Sequence, residues 1–285
     1  MLLLNASGCL DALTGQAVAG QLDAFVTKTV TPEPREGNAP VRIAETDFGM
    51  LNAIGLANPG RDRFLSETLP RLAAGLDVPI WVSVGGFGAR DYAETCERLD
   101  REEVAAIELN LSCPNVDEAP ESAAEIVSAC RAATRLPLYA KLSPAVWEIA
   151  ETARAVEAAG ADGLSLVNTI RGLALDATLR PRLARSTGGY SGPALRPIAL
   201  AAVYACRRVT DLPIVGMGGV CTGHGALELL ACGANHVALG TVLFADPDAP
   251  LRVRAELSEE LAQLGFANAD DVVGVAQEAV ASVEN

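Results

Sequence analysis

Of the 22 Lys and Arg residues in the chain, only two are lysines, Lys28 and Lys141. Arginine serves every other cationic position, so these two places read as sites that need a compact ammonium. Such a group can aim at one oxygen or at the anionic edge of a ring, which the planar guanidinium does less well. A second chemical feature is Cys113, within Asn110-Leu111-Ser112-Cys113-Pro114-Asn115. Its thiol can serve as a nucleophile or as a general base. With an ordinary pKa of about 8.5 it can accept and release a proton near neutral pH. No His or carboxylate stands near it in sequence to activate it, so proton acceptance fits at least as well as covalent attack. A third feature is a pair of glycine clusters, GMGGV at 216–220 and LGT at 239–241. Glycine lets backbone N–H groups approach an anion closely, and two such clusters near the end of the chain point to a phosphorylated ligand.

The elements that must position these groups recur regularly. Short apolar runs at 2–6, 24–28, 79–83, 104–110, 138–142, 163–168, 212–217 and 236–240 read as parallel strands covered on both faces. Ala/Leu/Arg/Glu-rich helical stretches lie at 61–76, 92–99, 122–134, 149–159, 194–209 and 225–231, and two more at 251–264 and 269–283 close the chain. Eight strand–helix alternations predict a (β/α)₈ TIM barrel, one domain over 1–285 with C-terminal helices. A doubly wound sheet is the runner-up, but no G-x-G-x-x-G follows a strand. Both lysines, Ser7, Thr29, Ser83, Asn110, Asn168, Thr169, Gly218, Gly219, Gly240 and Thr241 fall at strand C-termini, the rim where barrels build their sites. Two connections, 30–60 and 169–193, leave that rim and are too long for simple turns. They are expected to be functional loops.

Composition narrows the classes. The chain has 285 residues, 50% hydrophobic and 20% charged, with a net charge of −14. That field disfavours nucleic acid and anionic membranes. No apolar run reaches the roughly 20 residues of a membrane span, and no signal peptide is evident at the start, so a cytoplasmic protein is expected. Seven scattered cysteines without a C-x-x-C pair argue against a disulfide framework or a metal site. Only two histidines, His224 and His236, leave little room for His-based triads.

The segments KTVTPEPREGN (28–38), GMLNAIGLANPG (49–60), ELNLSCPNV (108–116), KLSP (141–144), ADGLSLVNT (161–169), TGGYSGPALRPIAL (187–200) and PIVGMGGV (213–220) resemble the class 1 dihydroorotate dehydrogenases, most closely the NAD-linked class 1B catalytic subunits. The resemblance runs in order from Ala6-Ser7-Gly8 to about Pro247. It implies FMN on a TIM barrel and oxidation of dihydroorotate to orotate in pyrimidine biosynthesis. A hydride would leave C6 of the substrate for flavin N5, and Cys113 would take the C5 proton. By the same resemblance Asn52, Asn110, Asn168 and Thr169 would hold the orotate ring, with the Gly55-Leu56 backbone beside them. Lys28 would lie between substrate and flavin, and Lys141 at the flavin's pyrimidine edge. Ser7, Thr29, Val167 and Gly192 would line the isoalloxazine and ribityl chain, and Gly218, Gly219, Gly240 and Thr241 the phosphate. The implied partner is an electron-transfer subunit carrying FAD and an iron–sulfur cluster, in a homodimer or a dimer within a heterotetramer. Fumarate, as in class 1A, is the other acceptor.

The chain departs from the family pattern in four places. It begins directly at strand one. Ser83 stands where a flavin-contacting Asn is common, so its hydroxyl is expected to reach the flavin through water. The loop after Cys113 (117–121) lacks a Gly-rich lid piece, and the turn Cys9-Leu10-Asp11 is unusual. These changes motivate two alternatives: a flavin-dependent dehydrogenase of another dihydropyrimidine such as dihydrouracil, or a catalytically impaired FMN-binding homologue.

Overall fold

A computed structural model describes residues 1–11, 13–111, 123–146 and 148–281, without the side chains of 279–281. Eight strands build the barrel. They are β1 (Leu3–Asn5), β2 (Phe25–Val26), β5 (Ile80–Val84), β6 (Ala106–Asn110), β7 (Leu138–Leu142), β8 (Gly163–Leu166), β11 (Ile214–Met217) and β12 (His236–Leu239). Each matches a strand expected from the apolar runs. They pair in parallel in the order β1-β12-β11-β8-β7-β6-β5-β2.

The ring closes between β1 and β2 through the parallel bridge Leu4–Ala24, and side chains complete this seam because β2 is only two residues long. The Asn5 amide imitates a peptide unit. Its Nδ2 donates to the Val26 carbonyl and its Oδ1 accepts from the Val26 N–H, both at 2.8 Å. Asp23 accepts from the Leu3 N–H at 2.7 Å. The Leu3 N–H and the Val26 N–H and carbonyl thereby find partners at the seam.

Alternation along the strands separates two cores. Leu4, Val26, Trp81, Ala106, Tyr139, Val215, Met217 and Ala238 point inward and plug the barrel, with the Trp81 and Tyr139 rings 4.4 Å apart between centroids. Their sequence neighbours, such as Val82, Ile107, Leu138 and Ala140, belong to the core shared with the helices. The helices begin and end close to their expected places, including Ala89–Leu99, Ala123–Ala133, Ile149–Ala158, Arg196–Arg207, Gly223–Cys232 and Ala249–Leu264. The last expected helix is divided instead. A 3₁₀ turn at Ala269–Val272 and a helix at Val275–Ala281 flank Gly274, whose φ of +84° breaks the helical path.

The two long connections are not bare loops. The first carries β3 (Ile43–Thr46) and β4 (Gly49–Asn52); the second carries β9 (Ile170–Leu173) and β10 (Thr187–Ser191). Together they form an antiparallel four-stranded sheet in the order β3-β4-β10-β9. Asn52 stands opposite Gly189, and Leu51 opposite Tyr190. The sheet has its own small core of Ala44, Leu51, Ala53 and Leu183. No helix among the described residues is long and apolar enough to cross a membrane.

Candidate active site

The C-terminal ends of the barrel strands and the four-stranded sheet enclose a cavity of about 640 Å³, within the usual size for a cofactor or small-molecule site. Ser7, Lys28, Thr29, Asn52, Gly55, Leu56, Asn110, Lys141, Val167, Asn168, Thr169, Gly192, Gly218, Gly219, Gly240 and Thr241 all line it. Residues from both long connections therefore meet residues from the strand ends. Cys113 lies outside the described residues, as does the loop 117–121.

The two lysines converge. Lys141 projects from β7 into the barrel, 4% exposed, and donates to Ser7 Oγ at 2.9 Å. Its second partner is Glu108 on β6, with Nζ 3.4 Å from Oε1. Lys28 follows β2, and its stem lies over the Ser7-Gly8 turn. A Cβ on Gly8 would fall 2.8 Å from Lys28 Cδ and 3.3 Å from Nζ, so only glycine, here at φ +78°, admits that approach. Cys9, next in the chain, also lines the cavity. Burial pushes its thiol pKa up, against the opposing pull of the Lys141 and Lys28 charges. That makes it a poor thiolate at neutral pH.

A chain of hydrogen bonds fixes the asparagines. Asn168 Nδ2 donates to Asn110 Oδ1 at 3.2 Å, and Asn110 Nδ2 donates to Thr29 Oγ1 at 3.1 Å. The Asn168 Oδ1 accepts from the Thr169 N–H at 2.8 Å, and Tyr92 anchors the Asn110 carbonyl at 2.8 Å. From the sheet, Asn52 Nδ2 donates to the Gly189 carbonyl at 3.3 Å. These contacts hold the side chains in place at the cavity wall, which suits recognition of an amide-bearing ring.

Ser83 is not on that wall. It is fully buried behind Thr29, with the two hydroxyls 3.0 Å apart. The sequence places it at a strand end, but β5 continues to Val84 and the Thr29 side chain takes the wall position. Its hydroxyl is hydrogen-bonded to Thr29 and does not itself reach the cavity wall.

The Gly55-Leu56 backbone is held in the left-handed region, with Leu56 at φ +56°. A non-glycine residue there is strained, and such strain persists where the surroundings enforce it. Here Asn58 Nδ2 donates to the Leu56 carbonyl at 2.7 Å, and Arg35 Nε to the Gly55 carbonyl at 3.3 Å. At the opposite side, beyond β11, a Cβ on Gly219 would sit 2.7 Å from the Arg196 N and 2.9 Å from the Gly192 carbonyl oxygen. The glycines thus let three backbone segments crowd into one cradle at the cavity wall. With Thr241 Oγ1 donating to Ser191 Oγ at 2.8 Å beside them, this end fits a phosphate, and the lysine end fits an anionic ring edge.

Several residues escaped the sequence as site members. Glu108 is one, although a lone acid inside an apolar strand was a visible signal. Cys9 stood out only as an unusual turn. Asn58 gave no sequence signal, because its role depends on bonds to Thr31, Leu56 and Gly60 that only the folded loop brings together.

Comparison with known proteins joins this geometry to a family. The model of the dihydroorotate dehydrogenase family matches residues 2–261. The chain belongs to the dihydroorotate dehydrogenase family. The catalytic subunit of dihydroorotate dehydrogenase B (NAD(+)) from Latilactobacillus sakei is 47% identical over 276 residues, covering 92% of this chain and 89% of the relative. Its counterpart from Halalkalibacterium halodurans is 43% identical over 95% of this chain and 93% of the relative. A crystal structure of DHODH from Eimeria tenella in complex with ferulenol shares the fold, with a TM-score of 0.83 at 23% identity, covering 96% of this chain and 85% of that one. The family's oxidoreductase chemistry therefore belongs on this barrel.

Proposed function

We propose that this chain is the catalytic subunit of a class 1B-type enzyme that oxidises dihydroorotate to orotate with FMN. The observation that carries the reading is the convergence of Lys28, Lys141 and the bonded asparagines on one cavity with a glycine cradle, in a chain 47% identical to a catalytic subunit of that activity. FMN, when bound, supplies the acceptor for the hydride leaving the substrate. Lys141 and Ser7 would face its pyrimidine edge, and Gly218, Gly219, Gly240 and Thr241 would hold its phosphate. Asn52, Asn110, Asn168 and Thr169 would orient the substrate ring and carboxylate. Cys113, three residues beyond Asn110 in sequence, would take the C5 proton as general base.

The partner in this reading is an electron-transfer subunit carrying FAD and an iron–sulfur cluster, which passes electrons to NAD; the protein works in the cytoplasm as a dimer or as a dimer within a heterotetramer. The test is anaerobic titration of the purified yellow protein. Dihydroorotate should bleach the flavin and dihydrouracil should not, because the asparagine-and-lysine end is built to recognise a carboxylate-bearing ring. Bleaching by dihydrouracil alone would reassign the substrate. Bound flavin that neither compound bleaches would overturn the reading.

A further inference from the structure

Glu108 has no assigned part in the proposed reaction, yet it occupies a position that stability alone does not explain. On β6 the inward residues rise from Ala106 in the apolar plug, through Glu108, to Asn110 at the cavity. Glu108 is 2% exposed, with Ser83 and Tyr139 directly opposite it on the neighbouring strands. A carboxylate at such depth is costly to desolvate, and buried ion pairs seldom stabilise a fold more than a well-packed apolar replacement. A neutral amide could accept the same hydrogen bond from Lys141. What the carboxylate adds is charge, within 3.4 Å of the ammonium that lines the cavity.

We propose that Glu108 is a positioning residue that aims Lys141 and offsets its positive charge, so setting the reduction potential of the bound flavin. This rests on the flavin site proposed above. An ammonium beside the flavin's pyrimidine edge favours the reduced, anionic ring. A carboxylate behind that ammonium weakens the preference and keeps the flavin able to pass its electrons onward. Ser7, which accepts from Lys141 at 2.9 Å, shares with Glu108 the aiming of the ammonium, and Glu108 alone adds a charge.

The test is a redox titration of the holoprotein with indicator dyes, paired with FMN affinity of the stripped protein. In Glu108→Gln, flavin should remain bound, and the preference for reduced over oxidised FMN should rise at least tenfold. For a two-electron couple that is an upward shift of about 30 mV. Glu108→Asp, which keeps the charge, should stay within about twofold of the parent. An unchanged or lowered potential in Glu108→Gln, or an equal shift in Glu108→Asp, would overturn the proposal. Should Glu108→Gln fail to accumulate, Lys141→Gln decides. The preference should then fall at least tenfold, and an unchanged value would show that neither charge of the pair reaches the flavin. Parent protein that binds no FMN would instead defeat the site assignment itself.

Discussion

Tyr139 and Lys141 stand two residues apart on one strand and point into the same barrel, as do Val26 and the strand-end Lys28, yet they serve opposite ends of it. Around Tyr139 the interior is an apolar plug of Leu4, Val26, Trp81 and Met217. Around Lys141 it is polar, with Ser7, Glu108 and Asn110 at hand and a cavity above. The plug is built by packing and contains no charged side chain. The mouth holds groups that are expensive to bury and is stabilised only by their mutual bonds. Stability and chemistry are therefore divided along the strand axis, so substitutions a few ångströms apart should separate the two properties.

The sharpest separation is expected at Cys113. Cys113→Ala should slow flavin reduction by dihydroorotate by about 10²–10⁴-fold, the usual contribution of a general base, while the melting temperature and flavin content stay at the parent values. Stopped-flow bleaching beside a thermal melt checks both. The reverse pattern is expected in the plug. Trp81→Ala should lower unfolding free energy by about 3–5 kcal/mol, read from denaturant titration, with flavin reduction per folded molecule little changed. A reduction rate that collapses in step with stability would break the division.

The seam should lie between these extremes. Asn5→Ala leaves the Val26 N–H and carbonyl buried without partners, a loss of about 2–4 kcal/mol, and hydrogen exchange should quicken first in β1 and β2. The smallest effect belongs to His236 at the N-terminal end of β12. Its Nδ1 accepts from the Leu2 N–H at 3.2 Å, and burial holds its pKa below the ordinary 6.5. The unfolded chain therefore takes up a proton that the folded chain resists. Stability should be full above pH 6.5 and decline as pH falls from there toward the lowered folded value. Comparing melts of the parent and His236→Gln from pH 7.5 to 5.5 isolates this slope, which the variant should lack.

Most of the barrel could be read from the chain because its signal is local. Runs such as 138–142 and 236–240 are short, apolar on both faces and separated by amphipathic stretches, and they became β7 and β12. The four-stranded sheet could not be read in this way. Segments such as Gly49–Asn52 and Thr187–Ser191 are rich in glycine, only half buried and lack a two-residue alternation. They become strands because they meet each other across about 140 positions of sequence, a pairing with no local trace. Within the site, Lys28 and Lys141 were legible through their rarity. Glu108 was overlooked because a single acid in a strand reads as a fault in an apolar pattern, and its meaning appears only when the lysine of the next strand stands beside it. Ser83 was misplaced by one step, since the end of a strand is set by pairing with its neighbour and not by its own polarity.

The amino-acid order alone determined the eightfold alternation, the ring of polar strand ends and the family to which they belong, because periodicity and residue type are properties of neighbouring positions. The tertiary structure decided the rest: that an asparagine amide closes the barrel, that two distant connections become one sheet over its mouth, and that a buried carboxylate stands behind the lysine facing the cavity. Each of these depends on groups far apart in the chain arriving within hydrogen-bonding distance, and only the folded geometry specifies which ones do.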